Sequence, residues 1–317
     1  MSTRPEALLD PRGSTFWGRF WHLSRNFLAL FCLIFGLVAI FLVSGWLVPS
    51  YLFILAVALP SATLALGVRD RADRTVWLAY ILGFVMFAYL RGLADETNLL
   101  VRYDYVIALD RALFLGHVPT VWLQERFHVL GNPSAWDYSC VFLHFTYFFL
   151  PPLFALVLWR RDGRLFHRYV CAALATYYVA LLTSALLPTA PPWLAGQTGD
   201  LPHVYRIVED ILTGASPGAY DYAYAVAGTN PVAAMPSLHM AISCVIALSS
   251  WRLGRWPRIA GSAYAASMGM ALVYSGEHYV IDIVAGVLLA VACWRWLSRP
   301  RASDREALPG LTAEGPA

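Results

Sequence analysis

Residues 136–159, WDYSCVFLHFTYFFLPPLFALVLW, form an apolar run long enough to cross a hydrocarbon core of about 30 Å as one helix. Runs of this kind recur along the chain. Eight can be placed, near 27–48, 51–68, 76–90, 136–159, 169–187, 237–251, 259–275 and 279–297. Only helices and closed barrels satisfy their backbone polar groups in lipid, and segments this long and apolar read as helices. With 59% hydrophobic and 14% charged residues over 317 positions, the composition points the same way. The expected fold is an all-α polytopic membrane bundle of about six to eight transmembrane helices. The first run, behind an arginine-containing leader and without a small-residue cleavage site, reads as a retained helix.

Charge distribution supports this reading and orients it. All 23 basic residues are arginine, and the net charge is only +3, which gives no nucleic-acid footprint. With both termini on one side, the opposite side keeps only Arg91, Arg102, Arg111, Arg126 and Arg206, although it has the two longest loops; the other 18 arginines fall with the termini. The positive-inside rule then makes the termini cytoplasmic. Trp46, Trp77, Trp159, Trp251, Trp256 and Trp294 fall at segment ends, where headgroup-level anchoring places them. The cysteines (Cys32, Cys140, Cys171, Cys244, Cys293) stand singly in apolar runs and read as small core residues, with no disulfide or zinc spacing.

Two stretches depart from simple spans. Residues 99–130 mix apolar and charged positions at near-helical spacing, which suggests helices at the outer interface or a lid over the bundle. Residues 188–236 are rich in Pro, Gly, Ala and Tyr, with no helical pattern beyond HVYRIVEDIL, and long loops in compact proteins tend to carry function. The expected organisation is a cytoplasmic segment 1–26, N-terminal spans with an interfacial segment over 27–135, a catalytic core over 136–297 and a disordered cytoplasmic tail over 298–317. The chain shows no inverted repeat of the kind transporters carry.

Chemistry concentrates at two span starts. NPVAAMPSLHMA (230–241) opens the sixth run and YSGEHYVIDIVAG (274–286) opens the eighth, so both helix starts share the extracytoplasmic face. Residues four apart share one face of a helix, which lets Asp282 accept a hydrogen bond from one ring nitrogen of His278 and leave the other lone pair free. An imidazole held this way can attack phosphorus, and His239 can protonate the departing alkoxide. Pro236 and Ser237 suit a first helical turn, whose free N–H groups favour a phosphate. The bland reading of a lone histidine near a membrane boundary is packing, and it is applied to His22, His117, His128, His144, His167 and His203. It fails for the His278–Asp282 pair, because ionisable groups at the edge of a span are costly to keep without a use.

At these residues the chain resembles the type 2 phosphatidic acid phosphatase superfamily. Pro236, Ser237 and His239 match its Pro-Ser-Gly-His element with Leu238 in place of glycine, and His278 and Asp282 match its His-x-x-x-Asp element. The family's Ser-Arg pair falls at Ala271 and Leu272, and its first Lys/Arg-Pro element has no good match. MPSLHMA, EHYVIDIVAG and the TAPPW stretch at 189–193 are similar to the inositol phosphorylceramide synthase (inositolphosphotransferase) branch. DRALFLGHVPTVWLQ, from Asp110, also looks like that branch. The resemblance implies an acid phosphatase/vanadium haloperoxidase-like catalytic core, His278 as nucleophile, His239 as acid, no metal and no cofactor. It also implies a phospholipid or polyprenyl phosphate substrate. Arg91 is the first candidate for the phosphate-binding cation, since arginine offers a planar fork, with Arg102 and Arg206 behind it and Ser237 and Tyr274 as further phosphate contacts. Transfer to a lipid or sugar alcohol and simple hydrolysis need the same residues. A serine protease built on GASPG (214–218), a non-enzymatic transporter, a metal site on His239, His278 and Asp282, and a bis-histidine haem site are the remaining alternatives.

Overall fold

The computed structural model describes residues 68–91, 99–202, 204–215, 218, 220 and 231–297. The runs at 27–48 and 51–68, apart from Val68, and the two termini lie outside these residues, as do Ser216 and Pro217 of the GASPG stretch. Ten helices and no extended strand are present among the described residues: α1 (Arg71–Arg91), α2 (Asp104–Leu113), α3 (Pro119–Phe127), α4 (Ala135–Arg161), α5 (Gly163–Leu186), α6 (Pro192–Thr198), α7 (Ile207–Ala215), α8 (Leu238–Ser250), α9 (Arg255–Tyr274) and α10 (Val280–Trp296). The protein is all-α. The chain divides into two compact units, one over 1–92 with 216–229 and the other over the remainder; α1 belongs to the first and α2 to α10 to the second.

By length and composition α1, α4 and α5 are candidate membrane spans, and α8 is a shorter apolar helix. These are helices of a membrane protein. Phe142, Phe149 and Leu153 on α4 and Leu182 and Leu186 on α5 stay exposed, as apolar side chains of a membrane span can. Local chemistry sets the ends. Ser134 caps α4, with Asp137 returning the bond to the Ser134 amide, and Asp162 stops α4 while capping α5 through the amide of Leu165. Cys140, Cys244 and Cys293 are buried as expected, whereas Cys171 faces outward from α5.

The stretch 99–130 folds as α2 and α3, in keeping with its helical spacing. The stretch 188–236 holds one helix that periodicity did not reveal: α6 has only seven residues, too few for a repeating pattern. Its signals are punctuation instead, proline in its first turn and Gly199 as a left-handed C-cap at φ 87°. Around α6 the backbone is pinned by short parallel pairings of Arg102 with Thr189 and of Thr189 with Ala233. Two apolar clusters then fix the elements. Val106, Ile107 and Val118 pack with Trp193, Leu201, Val204, Met235 and Tyr279, while Leu123, Val141, Ile207 and Ile211 surround Val273 and Tyr274. The tyrosines that bracket the 275–278 turn are therefore held in separate cores, which fixes the turn between α9 and α10.

Candidate active site

The turn Ser275–His278 and the start of α8 meet at the centre of the second unit. Gly276 takes φ 81°, and a Cβ there would come within 2.6 Å of the Tyr205 carbonyl oxygen, so glycine is required on both conformational and steric grounds. Gln124, 2% exposed, locks the same turn. Its amide donates to the carbonyls of Tyr205 at 2.9 Å and Tyr274 at 2.8 Å, and its oxygen accepts from the Tyr205 amide at 2.8 Å.

His278 leaves this turn just before α10. Its Nδ1 lies 3.5 Å from Oδ2 of Asp282, four residues on, with both side chains buried. That separation is long for a hydrogen bond, but the direction is the one that reserves Nε2 for chemistry. Asp282 also accepts from the Tyr279 amide at 2.9 Å, which closes the first turn of α10. Ser237 is the N-cap of α8, its hydroxyl accepting from the Met240 amide at 3.3 Å, and it is fully buried. The helix so begun presents His239, whose ring centre is 5.8 Å from that of His278. The structure thus brings together the pair and the carboxylate that the sequence singled out.

It also brings in Tyr147, Glu277 and Asp110, which sequence reasoning passed over, with His144, which it read as packing, and Arg206, which it ranked behind Arg91. His144, from the middle of α4, stands edge-on to His239 with ring centres 4.6 Å apart, and Tyr147 flanks His239 at 4.2 Å. His144 is packed, as expected of a lone histidine in a span, and the ring it packs against is that of His239. A lone histidine in an apolar helix carries no local sign of its neighbour. Glu277, beside His278, takes a two-bond fork from Arg206 at 2.7 and 3.1 Å, and the guanidinium lies over the Trp193 ring at 4.6 Å. Burial is the largest single influence and works to raise the Glu277 carboxyl, but the charge and hydrogen bonds of Arg206 together with the charges of His144 and His278 outweigh it and hold the group below its ordinary value. Asp110 of α2 is fully buried and accepts from the amides of Val280 and Ile281 at the start of α10. Burial pushes it up to about 6 against the pull of those two N–H groups, with the Asp282 charge adding to the rise.

The remaining candidates are placed as follows. Tyr274, expected beside the phosphate, directs its hydroxyl to Oδ1 of Asp137 at 2.7 Å and the Phe127 carbonyl at 3.1 Å, within a buried group where His128 Nδ1 also meets Asp137 at 3.0 Å. Arg91 is the last residue of α1, in the first unit. Arg102 is exposed, and its backbone pairs with the 188–190 segment.

The model of the PAP2 superfamily matches residues 104–296, a range that includes His239, His278 and Asp282. The chain belongs to the PAP2 superfamily. Membership implies an acid-phosphatase-like core, and the PAP2 match runs from the first turn of α2 to the last residue of α10, so α2 and α3 are part of the family region. Among curated PAP2-related sequences, the phosphoinositol dihydroceramide synthase of Bacteroides thetaiotaomicron is 33% identical over 159 residues. The alignment covers 46% of this chain and 50% of the relative, so the chain spans about half the length of the curated relative it matches. No solved structure matches this PAP2 chain.

Proposed function

We propose that this PAP2 protein is a multi-pass membrane lipid phosphotransferase that works through a phosphohistidine on His278 and moves a phosphoinositol-type headgroup to a lipid or sugar alcohol. The observation that carries the reading is the arrangement of His278, with Asp282 at its Nδ1 and His239 across from it. Nε2 of His278 attacks phosphorus, the P–O bond to the leaving alcohol breaks, and His239 as imidazolium gives its proton to the departing oxygen. In the second half His239 takes the proton of the acceptor hydroxyl, which attacks phosphorus and releases the His278 nitrogen. Proton and phosphoryl group balance over the cycle. The site lies on the extracytoplasmic face with the termini cytoplasmic, which the arginine asymmetry supports.

The phosphate needs positive potential. Arg206 supports that role better than the sequence alone suggested, because it sits on Glu277, next to the nucleophile, and is held flat by Trp193. Arg91 remains a proposal from its place at a span end, and Ser237 contributes as the cap of the helix start that faces the phosphate. The preference for transfer over hydrolysis rests on the similarity to a synthase; water in place of the acceptor makes the same site a lipid or polyprenyl phosphate phosphatase.

The test is turnover of a headgroup-labelled phospholipid panel by protein in liposomes, with and without acceptor lipid, following free phosphate and new lipids by mass spectrometry. Acceptor-dependent appearance of a new phosphorylated lipid is the expected result. Free phosphate alone, indifferent to acceptor, would make the protein a phosphatase, and no product from any member of the panel sinks the reading.

A further inference from the structure

The start of α10 is capped from outside its own segment. The first N–H groups of a helix lack intrahelical acceptors, and the residue at the N-cap position here, Tyr279, gives them no capping bond to the backbone of the next turns. Asp110 supplies the acceptors from α2. Its Oδ2 takes the Val280 amide and its Oδ1 the Ile281 amide, each at 3.0 Å, so both carboxylate oxygens are spent on one helix end. It is fully buried, which an aspartate tolerates only with its bonds made.

The consequence falls on Asp282. Three residues past the N-cap, its carboxylate already takes the Tyr279 amide, and it lies against His278 at 3.5 Å. With Asp110 gone, the amides of Val280 and Ile281 become unpaired donors in the same first turn as the Asp282 carboxylate, and compete with His278 for it. We propose that Asp110 is a positioning residue for the reaction: by holding the first two amides of α10 it reserves the Asp282 carboxylate for Nδ1 of His278. The proposal rests on the reading of His278 as nucleophile and adds the residue that keeps it oriented. Asp110 touches neither phosphate nor lipid and acts through Asp282.

A double-mutant cycle tests this, since two residues that act through one another are not additive. Asp110→Ala, Asp282→Ala and the double variant are compared by turnover in liposomes and, without any lipid substrate, by the rate at which diethyl pyrocarbonate modifies His278, read on the peptide by mass spectrometry. The Asp110→Ala change is expected to lower kcat by about 100-fold, as a small misplacement of a reacting group does, with KM little changed. In the Asp282→Ala background it is expected to cost less than about twofold in either readout. Asp110→Asn, which keeps one acceptor oxygen, is expected to fall between wild type and Asp110→Ala, and it replaces Asp110→Ala in the cycle if that variant does not fold. Equal losses with and without Asp282, an effect confined to KM, or failure of both Asp110 variants to fold overturns the proposal and leaves Asp110 a structural cap. Lipid turnover absent in wild type, with the His278 modification still following the cycle, would sink the phosphotransferase reading alone.

Discussion

The amide of Ser237 donates to the carbonyl oxygen of Asp282 at 3.1 Å, so the helix start that carries His239 and the one that follows His278 are tied by a backbone bond. The tie is possible because Gly286, one turn further along α10, has no side chain. A Cβ at that position would collide with the Ser237 carbonyl oxygen and stand 3.3 Å from the Ala241 amide.

Gly286→Ala is therefore expected to force α8 and α10 apart. In an exposed helix this change gains up to about 1 kcal/mol; here overpacking costs about 1–3 kcal/mol and separates the two histidines. Thermal melting in detergent should show a lower Tm, and turnover should fall further than the melt alone explains. An unchanged Tm with full activity would mean the helices are not in contact as described.

His278→Ala should abolish phosphoryl release and transfer, and no phosphorylated protein should be recovered after rapid base quench with labelled substrate, conditions under which a phosphohistidine survives. Asp282→Asn should leave the melt close to wild type and lower turnover by about 10⁴-fold, the scale of losing the group that orients a catalytic imidazole. Phosphohistidine recovered from purified His278→Ala protein would place the nucleophile elsewhere.

His144 faces His239 with its ring edge, and an aromatic ring without nitrogen can fill the same space. His144→Phe is expected to preserve the melt and lower kcat by about 100-fold, the low end of what a positioned acid–base group contributes. If the phenylalanine variant keeps wild-type kcat while His144→Ala does not, the residue serves by packing alone.

The Glu277–Arg206 pair gives a pH signature with a defined sign. Glu277 is held below its ordinary value of 4.5, so its stabilising contribution is fully present above that value and is lost as pH falls through the lower folded value. The Tm gap between wild type and Glu277→Gln should be widest near neutrality and close on the acid side. A gap that widens with acid would reverse the assignment. Arg206→Lys, which loses the fork and the stacking on Trp193, should raise KM for the phospholipid.

The histidine pair was legible from the chain because its signals are local. His278 and Asp282 are four apart on a helix start, and Ser237 stands where an N-cap belongs two residues before His239, so spacing alone specifies who faces whom. The helices were legible for the same reason: α4, α5, α8, α9 and α10 each overlay an apolar run, and lipid leaves the backbone little choice but to close its bonds within the run. The helices of 99–130 were legible as near-helical spacing, while α6 was too short to show any.

What no local pattern could reveal is who reaches the site from elsewhere. Asp110 lies 170 residues from the amide it caps, and Arg206 lies 71 from the carboxylate it grips. His144, on another helix again, shows nothing in its own segment but apolar neighbours. Sequence determined the membrane class, the helices and the pairing of His278 with Asp282 because these depend on hydrophobicity and on spacing within one turn. The tertiary structure alone decided which charges surround that pair, because a buried aspartate, histidine or arginine is satisfied only by the partner that packing delivers to it.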